Sequence, residues 1–310
     1  MICDNLTVRN GTLYFNGASC EKLAETYGSG LYVMDEDRIR QNCRTYRRAM
    51  TQAFGDSALP LYASKAASFK RIYQIVGEEG MGIDVVSSGE IYTALQAGMS
   101  LENAYFHSNN KTDWDIGFAM DQDIGYFVVD NVEELDAIEA LAGARDRKQK
   151  VLLRLTPGID PHTYEAVATG KVDSKFGSSI ETGQAEQITR HALGLAHVDL
   201  AGFHCHVGSQ VFDSDVFIDS AAIMLNFIAR MSAELGYTAG ILNLGGGYGV
   251  RYVDADPVID IPFEIRRLAK AMTDQCTELG IPMPAVRLEP GRSIVADAGL
   301  TLYTVGTVKC

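Results

Sequence analysis

The 310-residue sequence lacks the features of a secreted, membrane or nucleic-acid-binding protein. No apolar run approaches the roughly 20 residues that span a bilayer, and the first residues show no basic stretch leading into an apolar one. Acidic residues outnumber basic ones, and the net charge of −13 disfavours nucleic acid or an anionic membrane as the main partner. We therefore expect a cytoplasmic protein with no secretory signal, no membrane partner and no nucleic-acid partner.

Paired cysteines are also missing, because none of the six cysteines forms a C-x-x-C motif. This absence argues against a zinc knuckle or a disulfide framework and favours reduced thiols. The sequence has no internal repeat and no low-complexity tract. Its apolar fraction of 46% and charged fraction of 22% are ordinary for a globular protein, and its length suits one large α/β barrel.

The sequence does contain a regular alternation of apolar, strand-like segments with helical ones. Runs that are apolar throughout, such as Tyr126-Phe127-Val128-Val129, are typical of parallel strands covered by helices. The predicted fold class is therefore α/β, a closed (β/α)8 TIM barrel, with an open doubly wound sheet as the alternative. A helix over 35–54 leads into it. The predicted strands are 59–63, 82–86, 103–107, 125–129, 151–155, 200–205, 241–244 and 285–289, and the predicted helices are 66–77, 88–98, 113–121, 131–142, 182–195, 214–235 and 261–279.

Both ends of the sequence depart from this alternation. Residues 6–15 and 31–34 resemble short strands, with a turn signal at Asn10-Gly11. The run Leu300–Val308 is rich in strand formers where a ninth helix would stand. We expect a barrel over 35–295 and an incomplete β-rich second domain, formed from 1–34 and 296–310, in a C-terminally truncated chain.

A lysine follows the first predicted barrel strand, in Tyr62-Ala63-Ser64-Lys65-Ala66. Barrel enzymes act at the carboxyl ends of their strands. An ammonium group there can lose its proton through desolvation and become a nucleophile toward an aldehyde. The alternative is a solvated lysine at a helix start, like Lys70.

A carboxylate and an arginine follow the eighth strand, in Glu289-Pro290-Gly291-Arg292. A carboxylate aimed at a pyridine nitrogen keeps that nitrogen protonated and makes the ring an electron sink. Arg292 can offer a forked donor to a phosphate or a substrate carboxylate. A surface ion pair at a Pro-Gly turn is the alternative.

The seventh strand ends in Gly245-Gly246-Gly247-Tyr248-Gly249. Without side chains, backbone N–H groups can approach an anion, and phosphate sites in barrels favour the loops after strands seven and eight. Ser209, after the sixth strand, could add a hydroxyl to the same phosphate. The run has neither the spacing nor the position of a dinucleotide fingerprint, so NAD is rejected.

Histidines and further charged residues occupy the other strand ends. His204 and His206 share one face of the sixth strand, but no third ligand at suitable spacing supports a metal site. An imidazole against a flat aromatic cofactor is the better functional interpretation, with satisfied structural histidines as the alternative. The remaining candidates are Asp84, Ser87 and Glu90, which could also cap a helix, His107, and Arg154, which needs a partner if it is buried.

Together these motifs resemble the fold-type III pyridoxal-phosphate decarboxylases over the stretch from Leu31 to Arg292. The residues His162-Thr163-Tyr164, Thr169-Gly170 and Ser174-Lys175-Phe176-Gly177 resemble the diaminopimelate branch rather than the ornithine or arginine branches. The resemblance implies pyridoxal 5'-phosphate as the cofactor. It also implies conversion of meso-2,6-diaminopimelate to L-lysine and CO2, the last step of lysine biosynthesis, in a homodimer. A decarboxylase of another basic amino acid or carboxylated polyamine, or a catalytically dead barrel, remains the alternative.

The resemblance also implies a role for each matching residue. Lys65 would bind the cofactor covalently, His206 would stack on its ring and Glu289 would pair with its pyridine nitrogen, and these three would be the catalytic residues. Racemase relatives place a positive group at that nitrogen, so Glu289 favours decarboxylation. The other cofactor contacts would be Asp84, Glu90, Arg154, Ser209, Gly245, Gly246, Gly247, Gly291 and Arg292, and Arg292 would also bind a substrate carboxylate. The family's Cys-Glu motif has no match after Arg292.

Overall fold

The computed structural model describes residues 3–159 and 176–309. The first elements form a small antiparallel meander of three strands, β1 Leu6–Arg9, β2 Thr12–Phe15 and β3 Ala18–Ser19. Asn10 and Gly11 both have positive φ, 49° and 82°, as the two-residue turn of a tight hairpin requires. The predicted turn is therefore confirmed.

Helix α1, Cys20–Tyr27, follows the meander and was not predicted from the sequence. Ser19 caps its start by accepting a hydrogen bond from the Lys22 amide. Only Cys20 is buried in this helix, so the apolar periodicity that indicates a helix is weak here. The next two elements, strand β4 Leu31–Met34 and helix α2 Glu36–Phe54, agree with the prediction.

Eight parallel strands close into a barrel in the described part of the chain, which confirms the predicted TIM barrel over the open sheet. Strand β13 (Ala285–Leu288) pairs with β5 (Leu59–Ala63), and β8 (Tyr126–Val129) pairs with β9 (Gln149–Thr156), so the ring has no open edge. Strand β10, Ser178–Ser179, extends the sheet beside the end of β9. The barrel strands are β5 Leu59–Ala63, β6 Gly82–Val85, β7 Ala104–Phe106, β8 Tyr126–Val129, β9 Gln149–Thr156, β11 Val198–His204, β12 Ile241–Asn243 and β13 Ala285–Leu288.

Helices cover the outside of the barrel at the predicted places. Among the described helices, α8 (Asp215–Leu235) is long and apolar enough to cross a membrane. However, its Phe227 ring packs edge-on against Phe203 of β11, with ring centroids 5.1 Å apart, so its apolar face serves the barrel core. The helices are α3 Lys70–Glu78, α4 Ser88–Gln96, α5 Asp113–Asp121, α6 Val132–Gly143, α7 Gln184–Gly194, α8 Asp215–Leu235, α9 Ile261–Leu279 and the short α10 Arg292–Val295.

Side chains plug the barrel interior at the amino ends of the strands. A separate buried cluster forms there from Leu61, Tyr105, Val128, Leu152 and Ile241. The Arg287 guanidinium lies in the same layer and donates to the Tyr105 hydroxyl at 3.1 Å. Because this end is filled, the open space of the barrel lies at the carboxyl ends of the strands.

The two ends of the chain meet beside the barrel. Strand β14, Gly299–Leu302, pairs antiparallel with β4, as Gly299 faces Met34 and Leu302 faces Leu31. The strand is shorter than the predicted run to Val308, since residues 303–309 form no regular element. We propose the same division as before, a barrel over 35–295 and a β-rich unit from 1–34 and 296–310.

Candidate active site

A cavity of about 830 Å³ opens at the carboxyl ends of the barrel strands. Ten of the twelve cofactor residues predicted from the sequence line it, and they come from six different strand ends. Its wall also includes the backbone or side chains of Ala63, Ser108, Asn109, Tyr248 and Tyr252. The predicted residues in the wall are Lys65, Asp84, Arg154, His206, Ser209, Gly246, Gly247, Glu289, Gly291 and Arg292.

Lys65 reaches the cavity because β5 ends at Ala63 and the chain makes a 3-10 turn over Ser64–Ala66. Its side chain is exposed and has no hydrogen-bond or ion-pair partner among the described residues. Glu289 follows β13, the strand that pairs directly with β5. The amine and the carboxylate therefore stand on neighbouring strands and face one space.

Three side chains surround the buried Glu289 carboxylate. Asn243 Nδ2 donates to Oε1 at 2.6 Å, and His107 Nε2 lies 2.7 Å from the same oxygen. His204 Nε2 lies 3.3 Å from Oε2. Burial opposes ionisation of Glu289, but the proximity of His107 and His204 lowers its pKa well below the usual range. Burial lowers the pKa of His204 to about 4, so at neutral pH this ring acts as a neutral neighbour. The carboxyl is thus held in its charged form.

Asp84 of β6 is a second carboxyl in the cavity, and only 1% of it is exposed. Its Oδ1 has no hydrogen-bond partner, and it lies 3.7 Å from His107 Nε2. Burial is the main cause that raises the pKa of Asp84, to about 6, although His107 opposes the rise. A buried carboxylate oxygen without a partner is costly unless a bound group satisfies it.

Because of this raised pKa, Asp84→Asn should stabilise the cofactor-free chain at high pH. The protonated carboxyl contributes stability that is fully present below its ordinary pKa of 3.8 and is lost as pH rises through about 6. Asparagine stays neutral, so the gain should reach up to about 3 kcal/mol at pH 8 and nearly vanish at pH 4. Denaturant unfolding at the two pH values measures it, and an equal effect at both would contradict the assignment.

Two of the three glycines predicted to bind the cofactor, in the glycine turn after β12, line the cavity. Gly246 and Gly247 line the cavity, and a Cβ on Gly246 would lie 2.0 Å from the Glu289 carbonyl oxygen. Gly245 does not line it, since its amide donates to Asn243 Oδ1 at 2.9 Å. The structure therefore does not bring the Gly245 amide to the place predicted for it, and two glycines remain for an anion.

Gly246→Ala should disrupt this turn, because the added Cβ has only backbone to push against. Overpacking of this kind costs about 1–3 kcal/mol or more, and displacing the Glu289 backbone should also weaken cofactor binding. Gly240→Ala is the matched control, since its Cβ would lie an ordinary 3.5 Å from the Ala201 oxygen. Thermal melting and cofactor titration of both variants test this, and equal behaviour would count against the role of Gly246.

Arg292 and Ser209 form a cationic corner beside the glycine turn. Arg292 Nε donates to Ser209 Oγ at 3.2 Å, and its Nη1 donates to the Tyr252 hydroxyl at 3.0 Å. A Cβ on Gly291 would lie 2.9 Å from the Ala63 Cβ, so glycine lets this turn approach β5. Tyr252 was missed by the sequence analysis, although it follows the glycine turn by only a few residues.

Arg154 extends into the cavity from the end of β9 with an acidic partner nearby. Its guanidinium lies 4.4 Å above the centre of the Phe176 ring, and Nε lies 4.0 Å from Asp130 Oδ1. Asp130 also accepts from the Gly177 amide at 3.0 Å. Asp130 was not predicted from the sequence, although its place directly after the apolar strand β8 was a signal for it.

Glu90 lies outside the cavity wall, whereas His206 is part of it. The Glu90 carboxylate accepts from the Val86 amide at 2.7 Å, and Ser87 caps α4, so Glu90 supports the start of the helix and does not line the cavity. Burial raises the pKa of Glu90. His206 does line the cavity, and burial lowers its pKa well below the usual value, which keeps the ring neutral.

The stretch from His162 to Lys175, which carried the resemblance to the diaminopimelate branch, lies outside the described residues. Only the last two residues of that motif, Phe176 and Gly177, are described. Phe176 contributes to the cavity wall through its contact with Arg154.

Known proteins of the same kind were found by sequence. A family model described as "Pyridoxal-dependent decarboxylase, pyridoxal binding domain" matches residues 36–296. The diaminopimelate decarboxylase of Staphylococcus aureus is 42% identical over 304 residues, which cover 97% of this chain and 70% of that protein. The chain belongs to the diaminopimelate decarboxylase family. The Bacillus subtilis member is 39% identical over 301 residues, 97% of this chain and 68% of its own length.

Solved structures agree with this membership. Diaminopimelate decarboxylase from M. jannaschii in complex with L-lysine matches with a TM-score of 0.86 and 32% identity, over 96% of this chain and 69% of that one. A lysine/ornithine decarboxylase complexed with putrescine, from Vibrio vulnificus, matches with a TM-score of 0.71 and 25% identity, over 90% and 68%. The predicted family, barrel and cofactor, pyridoxal 5'-phosphate, are confirmed, and the chain is a pyridoxal-dependent lyase of this family.

The residues of the cavity fit this cofactor, which carries an aldehyde, a pyridine nitrogen and a phosphate. Lys65 offers an amine, and the charged Glu289 and the Asp84 oxygen that lacks a hydrogen-bond partner offer negative partners for a protonated nitrogen. Gly246 and Gly247 form a cradle without side chains, because a Cβ on either would collide with the Glu289 or the Gly208 carbonyl oxygen, at 2.0 and 2.2 Å. Arg292 adds positive charge beside that cradle, so each chemical group of the cofactor has a matching part of the wall.

Proposed function

We propose that this chain converts meso-2,6-diaminopimelate to L-lysine and CO2, the last step of lysine biosynthesis, with pyridoxal 5'-phosphate in the described cavity. One observation carries the proposal. Lys65 and Glu289 end neighbouring strands and face one cavity, in a chain 42% identical to a diaminopimelate decarboxylase. Decarboxylation also suits the carboxylate at Glu289, because a protonated pyridine ring accepts the electron pair that the departing CO2 leaves.

Lys65 would hold the cofactor through its amine, yield to the amine of the substrate, and return at the end of the cycle. Its lack of a partner among the described residues leaves the amine free for this exchange. Glu289, held as a carboxylate by its histidine neighbours, would keep a proton on the pyridine nitrogen. The neutral ring of His206 would lie against the face of the cofactor.

The cationic corner would hold the phosphate. Ser209, Gly246 and Gly247 would donate to its oxygens, and Arg292 would supply the charge through the turn that Gly291 makes possible. Arg292 would also contact a substrate carboxylate. Asp84, Glu90 and Arg154 would support the ring end of the site, Glu90 by fixing the start of α4.

The proposal also covers the oligomeric state and the cellular location of the protein. We propose a cytoplasmic location and, for the full-length form, a homodimer. The small-molecule amino-acid substrate agrees with the lysine bound to the M. jannaschii relative. Sedimentation or light scattering of the purified chain measures its oligomeric state directly.

Release of CO2 from a panel of amino acids tests the substrate. The purified chain with pyridoxal 5'-phosphate is offered meso-diaminopimelate, L-lysine, L-ornithine, L-arginine and carboxynorspermidine in turn. Release is expected with meso-diaminopimelate at a kcat/KM at least tenfold above the others. Preference for ornithine or lysine would replace the proposal with the function named for the Vibrio vulnificus structure. A cofactor band without CO2 from any of them would indicate an inactive barrel.

A further inference from the structure

Asn243 is a fully buried residue at the end of β12, and no role was assigned to it from the sequence. Its side chain bridges two parts of the site. Nδ2 donates to Glu289 Oε1 at 2.6 Å, and Oδ1 accepts from the Gly245 amide at 2.9 Å. The Glu289 amide in turn donates to the Gly245 carbonyl at 2.7 Å, which closes a ring of three hydrogen bonds.

The chemistry of the two partners fixes the orientation of this amide. A backbone N–H can only donate and a carboxylate can only accept, so the oxygen must face Gly245 and the nitrogen must face Glu289. Asparagine is the residue of this length that offers both groups. An ionised aspartate keeps the acceptor for Gly245, but its second oxygen would face the Glu289 carboxylate and would repel it or share one proton with it; alanine has neither group.

The bridge also explains how the glycine turn is shaped. With its amide turned toward Asn243, Gly245 takes a φ of 69°, and Gly246 and Gly247 are left to line the cavity. On the other side, Asn243 and His107 share the same Glu289 oxygen. Loss of Asn243 would leave the carboxylate held by the two histidines alone.

We propose that Asn243 is a positioning residue that sets the Glu289 carboxylate and the glycine turn in one geometry, so that one side chain aligns the ring end and the phosphate end of the cofactor site. The inference rests on the proposed function, since it assigns those two ends to Glu289 and to Gly246 and Gly247. It predicts that a change confined to the Glu289 side of Asn243 affects the ring end of the site and leaves the phosphate end intact.

Two substitutions separate the ends. Asn243→Asp keeps the acceptor for the Gly245 amide and sets a second carboxyl against Glu289 in place of the amide donor, whereas Asn243→Ala loses both hydrogen bonds. For each variant we would measure the affinity for pyridoxal 5'-phosphate without substrate, kcat for CO2 release, and hydrogen exchange of the Gly245 amide in the cofactor-free chain. Asn226→Ala, at an exposed asparagine on α8, is the matched control and should change none of these.

For Asn243→Asp we expect a cofactor Kd within about threefold of wild type, a slow Gly245 amide, and a kcat at least about tenfold lower, because the new carboxyl repels Glu289 or shares its proton and no longer fixes its charge. For Asn243→Ala we expect Kd to rise at least about tenfold as well, with fast exchange at Gly245. If Asn243 only stabilised the fold, both variants would melt at a lower temperature, and the cofactor Kd and kcat would change together.

Three results would overturn the inference. They are fast Gly245 exchange in the wild-type chain, an unchanged kcat in Asn243→Asp, and equal loss of cofactor affinity in the two variants. If Asn243→Ala fails to fold, the exchange rate of the Gly245 amide in the wild-type chain still tests the inference. Wild-type chain that binds cofactor but releases no CO2 would refute the proposed function instead, and cofactor affinity and exchange would still decide on Asn243.

Discussion

Lys65→Ala is expected to abolish decarboxylation and the visible absorption band that the bound cofactor gives to the wild-type chain. The reason is that Lys65 is the amine in the cavity wall without a partner among the described residues, and alanine offers no nucleophile for the aldehyde. We expect kcat to fall by roughly three orders of magnitude or more, as when a nucleophile is removed elsewhere. Absorption spectra of both chains with pyridoxal 5'-phosphate, followed by CO2 release, measure the two effects.

Lys70→Ala is the matched control for this change. Lys70 is an exposed lysine at the start of α3, five residues further on, and it does not line the cavity. Its replacement should leave both the band and turnover unchanged. A Lys65→Ala chain that folds and keeps a normal rate would remove the central role of Lys65, while loss of the band in both variants would indicate a general effect on folding.

The barrel could be predicted from the sequence because its strands are buried on both sides. Stretches such as Tyr126–Val129 are apolar throughout, and this pattern appears in the sequence before any contact is known. Helix α1 has no such pattern, since Cys20 is its single buried residue, and it was missed. Residues 303–309 have strand-forming composition but form no regular element, and Tyr303, Val305 and Val308 are exposed there.

The site was predictable where the residue type itself carries the chemistry. Lys65, Glu289 and Arg292 were found because strand ends in a barrel share one face, so spacing along the chain predicts nearness in space. Which atoms are already engaged cannot be deduced in this way. From the sequence, the Gly245 amide and the Glu90 carboxylate were both expected to be available for the cofactor. In the folded chain, the Gly245 amide donates to Asn243 and the Glu90 carboxylate accepts from the Val86 amide.

Asn243 and Asp130 were missed for the same reason. Each is a polar residue at the end of a buried strand, and many residues of that kind only satisfy a nearby turn. Their importance comes from what they contact at the end of the neighbouring strand, Glu289 in one case and Arg154 in the other. A sequence pattern reports periodicity and local capping, but it does not report a contact between separate strands.

Glu289→Gln is expected to slow decarboxylation by about two to three orders of magnitude while cofactor affinity changes only a few fold. Glutamine keeps the size of the side chain, so Arg292, Ser209 and Gly246 should still hold the phosphate. It cannot carry the negative charge that the histidines stabilise, so a proton on the pyridine nitrogen loses its partner. The ring then accepts electrons less well, and kcat falls more than binding, as expected for a group that acts in the transition state.

Glu278→Gln, at an exposed position on α9, is the control for removing one negative charge and should leave the rate unchanged. The measurements are kcat for CO2 release and the cofactor Kd from absorbance titration of each chain. An unchanged kcat in Glu289→Gln would show that the carboxylate does not act on the ring. A loss of cofactor affinity as large as the loss of kcat would instead show that Glu289 shapes the cavity through the Asn243 bridge.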